Sequence, residues 1–140
     1  LGFWDPFLAS LELDIGAKQV FNGDGFTNNR TYYFASDAFA NEQTELLKTI
    51  LEELNRSDNW ANENKEELAQ LLADELGLEV EPIQKMVDRK TYGVEKVTPE
   101  ITAEQQDIGD VFLQEELIEE AISVADMVTE DPAWFPESLE

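Results

Sequence analysis

Leu46, Leu47, Ile50, Leu51 and Leu54 return every three or four residues with charges between them. The pattern predicts one long amphipathic helix running on to Trp60-Ala61. Asn64 is placed to cap a second helix that carries Leu68, Leu71, Leu72 and Leu76 and stops at Gly77. Pro82 opens a third helix with Ile83, Met86 and Val87, which passes into Arg89-Lys90-Thr91-Tyr92-Gly93-Val94, where two basic residues adjoin. Val97-Thr98-Pro99 starts a fourth, with Ile101, Gln105, Ile108 and Phe112 on one face. Near the beginning, Asp5 suits an N-cap and Pro6 the first helical position. The short helix they open carries Phe7, Leu8 and Leu11 and ends near Gly16.

The strand signals are confined to the first quarter of the chain. Gln19-Val20-Phe21 reads as a short strand leading into Asn22-Gly23-Asp24-Gly25, a tight turn. Asn22, Asp24 and Asn28 do not make a calcium loop, because Tyr33 stands where the closing acid should be. Thr31-Tyr32-Tyr33-Phe34-Ala35-Ser36 is the clearest strand, aromatic and bounded by polar residues. Asp131-Pro132-Ala133-Trp134-Phe135-Pro136 reads as a proline-punctuated tail that lies over the surface or is disordered. Four helices and two or three early strands do not supply the sheet such helices would cover, so part of the fold is expected to lie elsewhere. Apolar faces left open would favour self-association or pairing with another piece of chain.

Composition narrows the chemistry. The 140 residues are 42% hydrophobic, enough for a core, and carry 32 acidic against 9 basic side chains for a net charge of −23. That field repels nucleic acid and anionic lipid, and nucleic acid is discarded as a partner. With no Cys and no His, thiol nucleophiles, disulfides, the usual zinc sites and imidazole catalysis are excluded. Carboxylate pairs are expected by chance among so many acids and carry little weight. No apolar run approaches the roughly 20 residues of a membrane helix, and no signal peptide is visible. The absence of a methionine before Leu1 suggests a cut edge, in which case a targeting segment would have been lost.

The order of landmarks resembles the C-terminal part of the solute-binding proteins of ABC importers for aliphatic sulfonates, within the wider nitrate, sulfonate and taurine group. It rests on Trp4-Asp5-Pro6-Phe7, then Asn29-Arg30-Thr31-Tyr32-Tyr33-Phe34-Ala35-Ser36 with Phe39-Ala40, then Leu54 to Trp60 and Leu76-Gly77-Leu78. It continues through Arg89 to Val94 with Val97-Thr98-Pro99-Glu100, and Gln105-Gln106 with Phe112. The family often has Arg-Arg or His-Arg where this chain has Arg89-Lys90, and it is less acidic.

The resemblance implies an α/β fold, the C-terminal portion of a two-lobed type II periplasmic-binding-protein fold, mostly helical with a few strands at the start. Residues 1–30 would end the second lobe, 31–36 would be the crossover strand, 37–128 the helical return to the first lobe and 129–140 a tail. The implied function is that of a non-enzymatic solute-binding component. It would capture a small organic anion such as an aliphatic sulfonate or taurine, with this chain forming only part of the cleft. Its partners would be the membrane permease and the remaining N-terminal part of the same protein, at an extracytoplasmic location. No catalytic residue, cofactor or metal is expected.

Trp4 and Asp5 are the candidate ligand-binding residues. The indole of Trp4 offers an apolar wall and an N–H donor, a mixture suited to a small amphiphilic anion, although core packing would also explain it. Asp5 would repel a sulfonate directly, so it caps its helix, orients neighbours or receives an ammonium group such as that of taurine. Arg89 could add positive charge near an anion, or simply sit in a surface ion pair. Two other readings stand beside this one: an enzyme whose reactive groups all lie elsewhere, and an acidic helical protein–protein interaction module with its apolar faces buried in a partner.

Overall fold

Among the described residues six α-helices form, most of them where apolar spacing and stop signals call for them: α1 (Phe7–Ile15), α2 (Asp37–Glu42), α3 (Thr44–Glu63), α4 (Lys65–Leu76), α5 (Val80–Asp88) and α6 (Pro99–Gln114). The computed structural model describes every residue except Leu1, Thr27, Asn29, Glu130, Asp131 and Glu140. Asn29 of the aromatic-strand landmark and Asp131 of the tail therefore lie outside the described residues. The chain divides into two units, Leu1–Ser36 with Leu54–Gly93, and Asp37–Glu53 with Val94–Glu140.

The first unit is built on a helical hairpin. Gly77 ends α4 in the left-handed region (φ 65°), which lets the Leu78 N–H reach the Ala73 carbonyl at 3.1 Å. The chain then re-enters as α5, whose third residue is Pro82, a first-turn position where its missing N–H leaves no helical bond unmade. Ile83, Met86 and Val87 pack with Ala69 and Ala73, and Leu68 and Leu72 close the cluster. Small residues at 69 and 73 allow the helices to approach closely. Leu71 is half exposed, as is Leu76, so the covered face of α4 is centred on alanines and not on the full set of leucines the spacing suggested.

Asn64 acts differently from expectation. It makes no side-chain bond to the first turn of α4; its Nδ2 donates to the Trp60 carbonyl at 2.8 Å and so closes the end of α3. Nearby, Asn62 exchanges two hydrogen bonds with the Tyr92 backbone, donating to its carbonyl at 2.8 Å and accepting from its N–H at 3.0 Å. One amide side chain thus replaces a rung of ladder for an extended segment.

In the second unit, Thr98 caps α6 through its hydroxyl oxygen, which accepts from Ile101 N at 3.3 Å, with Pro99 at the first position. The covered positions of α6 include Ile101 and Gly109, while Ile108 and Phe112 of the expected face are partly open. A Cβ at position 109 would come within 3.0 Å of Ile122 Cδ1, so glycine makes room there. Gln106 holds that neighbouring segment, donating to the Ile122 carbonyl at 3.0 Å and accepting from Val124 N at 2.9 Å. The tail is tied down. Phe135 is buried with the Lys96 ammonium 5.2 Å from its ring centre, and Ser138 donates to Glu52 at 3.0 Å.

The expected α/β class is corrected: among the described residues the protein is all helical, with no strand or sheet. Thr31 to Ser36 and Gln19 to Phe21 have the composition of strands but no neighbour to pair with, and a strand exists only through its ladder. Val20 is 98% and Phe34 91% exposed, so neither segment has a covered face. Asn22-Gly23-Asp24-Gly25 is the turn expected: Phe26 N donates to Gly23 O at 2.9 Å, and Asp24 N to Asn22 Oδ1 at 3.2 Å.

Ile83→Ala should cost about 2–5 kcal/mol of stability, because the hole would open at the centre of the α4/α5 cluster. Leu71→Ala should stay within about 0.5 kcal/mol. Urea denaturation of both variants checks the assignment, and equal losses would show that α4 packs through its leucines.

Candidate functional site: an aromatic pocket beside a four-residue ion-pair network

The turn ahead of α1 is locked by its own backbone. The Trp4 carbonyl accepts from Leu8 N at 3.0 Å, and the Pro6 carbonyl accepts from Ser10 N at 3.0 Å and from Ser10 Oγ at 3.3 Å. Asp5 Oδ1 accepts from Ala9 N at 3.2 Å. Asp5 is displaced from the N-cap position expected of it: the regular helix begins at Phe7 with Pro6 in the cap position, one residue later, and the Asp5 carboxylate serves a first-turn N–H from just outside the cap.

Trp4 is 72% exposed and stands edge-on to Phe7, ring centres 6.4 Å apart at 81°. Together with Gly2, Phe3, Ser10 and Leu11 these rings line an open pocket of about 390 Å³. Its only side-chain hydroxyl, on Ser10, is already bonded within the helix turn. What the pocket offers a ligand is chiefly apolar surface.

On the side of α1 that meets α5, the polar residues form a network. Arg89 Nη1 donates to both Asp5 oxygens, at 3.1 and 3.2 Å, and Arg89 Nη2 pairs with Glu12. Lys85 Nζ lies 2.9 Å from the same Glu12 oxygen. Hydrogen bonds from Lys85 and then Arg89 hold the Glu12 carboxyl below the usual range. Partial burial works against the Arg89 charge, but hydrogen bonds to Glu12 and Asp5 outweigh it and raise its pKa.

Of the residues singled out in the sequence, Trp4 and Asp5 are thus adjacent to the pocket, and Arg89 is in the ion-pair arrangement. Glu12 and Lys85 were missed. Their signal was available in spacing, since Asp5 ahead of α1 and Glu12 within it stand about two helical turns apart, and Lys85 on α5 and Arg89 at its C-cap stand about one turn apart. Elsewhere, burial pushes up the Asp58 carboxyl, and burial followed by the Asp58 charge pushes up the Tyr92 hydroxyl. Among the described residues no group of acids converges as a metal site, and no helix is long and apolar enough to cross a membrane.

Two curated proteins match nearly the whole chain. It is 23% identical over 138 residues to a "Putative aliphatic sulfonates-binding protein" of Escherichia coli (strain K12), covering 98% of this chain and 42% of that protein. It is 26% identical over 144 residues to a protein of the same name from Bacillus subtilis (strain 168), covering 98% and 41%. The resemblance to aliphatic-sulfonate-binding proteins seen in the sequence landmarks is therefore borne out, and the chain spans about two-fifths of the length of these relatives. No family model matches the chain, and no solved structure matches it significantly.

Because the fold holds Glu12 in its ionised form, its contribution is complete above the unfolded value of about 4.3 and is lost as pH falls through the lowered folded value. Glu12→Gln should lower Tm at neutral pH, and the gap to the parent should close as pH falls through the lowered folded value. Asp58, shifted the opposite way, is common to both chains and cancels in the comparison. A gap that persists unchanged at low pH would show that Glu12 acts by packing alone.

Proposed function

We propose that this chain is part of the solute-binding component of an ABC importer, and that the complete protein captures a small organic anion such as an aliphatic sulfonate or taurine. The observation that carries the reading is the match of 98% of the chain to two proteins named for aliphatic sulfonate binding. The exposed indole over an apolar pocket supports it. Trp4 would wall the alkyl part of the solute. Asp5, already bonded to a guanidinium and a backbone N–H, would hold the turn that presents Trp4 instead of gripping the solute's charge. The oxyanion would then be bound by groups outside this chain, supplied by the remaining N-terminal part of the same protein across the cleft between two lobes. Backbone N–H groups at helix N-termini are sufficient for that task. The component would work outside the cytoplasmic membrane, hand its solute to a membrane permease, and carry out no chemistry.

In the complete protein, Trp4→Ala should weaken binding of a medium-chain alkanesulfonate about tenfold, or roughly 1.4 kcal/mol, with little change in Tm. Isothermal calorimetry against taurine, alkanesulfonates, nitrate and bicarbonate would read both affinity and selectivity. Unchanged affinity with a large fall in Tm would show that Trp4 is part of the core and would end the reading. The 140-residue chain alone should show no measurable sulfonate affinity.

The alternative, an acidic helical interaction module, is favoured by one observation: Val20, Phe21, Phe26 and Phe34 are all strongly exposed. It would require the 140-residue chain to bind a separate protein in the absence of any N-terminal part.

A further inference from the structure

Arg89 is the C-cap residue of α5, 84 residues from Asp5 in the turn it holds. Its guanidinium faces two carboxylates, Asp5 in the turn ahead of α1 and Glu12 on α1: one end donates to both oxygens of Asp5, the other to Glu12. Asp5 is covalently next to Trp4, and the same carboxylate accepts from Ala9 N, so anchoring Asp5 fixes the backbone from which the indole projects. Trp4 has little else to hold it. It is 72% exposed, and its one aromatic contact is edge-on to Phe7, which is itself half exposed. Lys85 belongs to the same network, but its ion pair is with Glu12, inside α1, and not with Asp5.

We propose that Arg89 is a positioning residue for the aromatic pocket, acting through Asp5 to hold the Trp4 indole over Phe7, while Lys85 only ties α1 to α5. The arrangement gives Arg89 a role in ligand affinity without contact with a ligand. A planar fork matters here because a single point charge could not serve Asp5 and Glu12 from its two ends at once. This use of the pocket rests on the proposed function, but the positioning itself is independent of any ligand.

The test compares Arg89→Met and Lys85→Met in the 140-residue chain by 15N relaxation of the Trp4 and Asp5 amides and of the Trp4 indole N–H. The Met side chain keeps much of the apolar stem and removes the charge. In Arg89→Met the Trp4 and Asp5 order parameters should fall from about 0.85 towards 0.6 or below, and the indole cross-peak should move. In Lys85→Met both should stay at parental values even if Tm falls. Arg89→Lys should recover only part of the order. Asp5→Asn, which leaves α5 unaltered, should reproduce the Arg89→Met pattern and serves if that variant does not fold. Equal loosening in the Arg89 and Lys85 variants, or a rigid Trp4 in Asp5→Asn, would overturn the proposal. Because this experiment contains no ligand, its failure would leave the sulfonate reading to stand or fall on the Trp4→Ala affinities.

Discussion

The first unit depends on α5 being held through two kinds of surface. One face of this nine-residue helix buries Ile83, Met86 and Val87 against Ala69 and Ala73. Lys85 within the helix and Arg89 at its C-cap reach α1 and the turn ahead of it through Glu12 and Asp5. A helix of this length is marginal alone in water, so its persistence comes from these contacts and not from propensity. The apolar contact supplies most of the free energy, being proportional to area removed from water. The ionic contact supplies direction: a guanidinium fork has a required geometry, and methyl groups do not.

The acidity of the chain makes that ionic contact more telling. Only 9 basic side chains are available against 32 acidic ones. Two of the nine are placed on α5 to match Asp5 and Glu12, leaving the α1/α5 junction locally balanced within a molecule of net charge −23. Exposed ion pairs contribute little to stability, and here the partly covered carboxylates still depend on several donors acting together. Loss of the shared donor, Arg89, would affect two carboxylates at once, whereas loss of Lys85 would leave Glu12 with a partner.

The helices were legible because their signals are local. Gly16 and Gly77 stop helices in the left-handed region, Thr98-Pro99 starts one, and Ile83, Met86 and Val87 lie inside where their spacing put them. What was misread depends on partners that sequence pattern does not reveal. Alanines 69 and 73 add little to an apolar pattern, yet they are the buried α4 residues in the cluster with Ile83, Met86 and Val87 of α5. Thr31 to Ser36 has strand composition, but pairing is a property of two segments and no second is present among the described residues. The prolines near the end suggested a loose tail, while Phe135 gives that tail an apolar anchor. The site was half visible: Trp4 and Asp5 stand out by proximity in sequence, but Arg89 lies 84 residues from Asp5 and 77 from Glu12, beyond the reach of local reasoning.

The balanced junction also bears on how an anion could be received by so acidic a molecule. At ordinary ionic strength charges are screened over about 8–10 Å, so a solute at the pocket responds to its immediate surroundings more than to the total charge. Those surroundings are the apolar rings of Phe3, Trp4 and Phe7, with Asp5 in the turn ahead of α1 and Glu12 on α1 each matched by a cation. An unpaired Asp5 would put a bare negative charge one residue from the indole and oppose an anionic ligand directly. Pairing it with Arg89 would remove that opposition while holding the turn, so on the proposed reading a single side chain would both quiet the local field and position the indole.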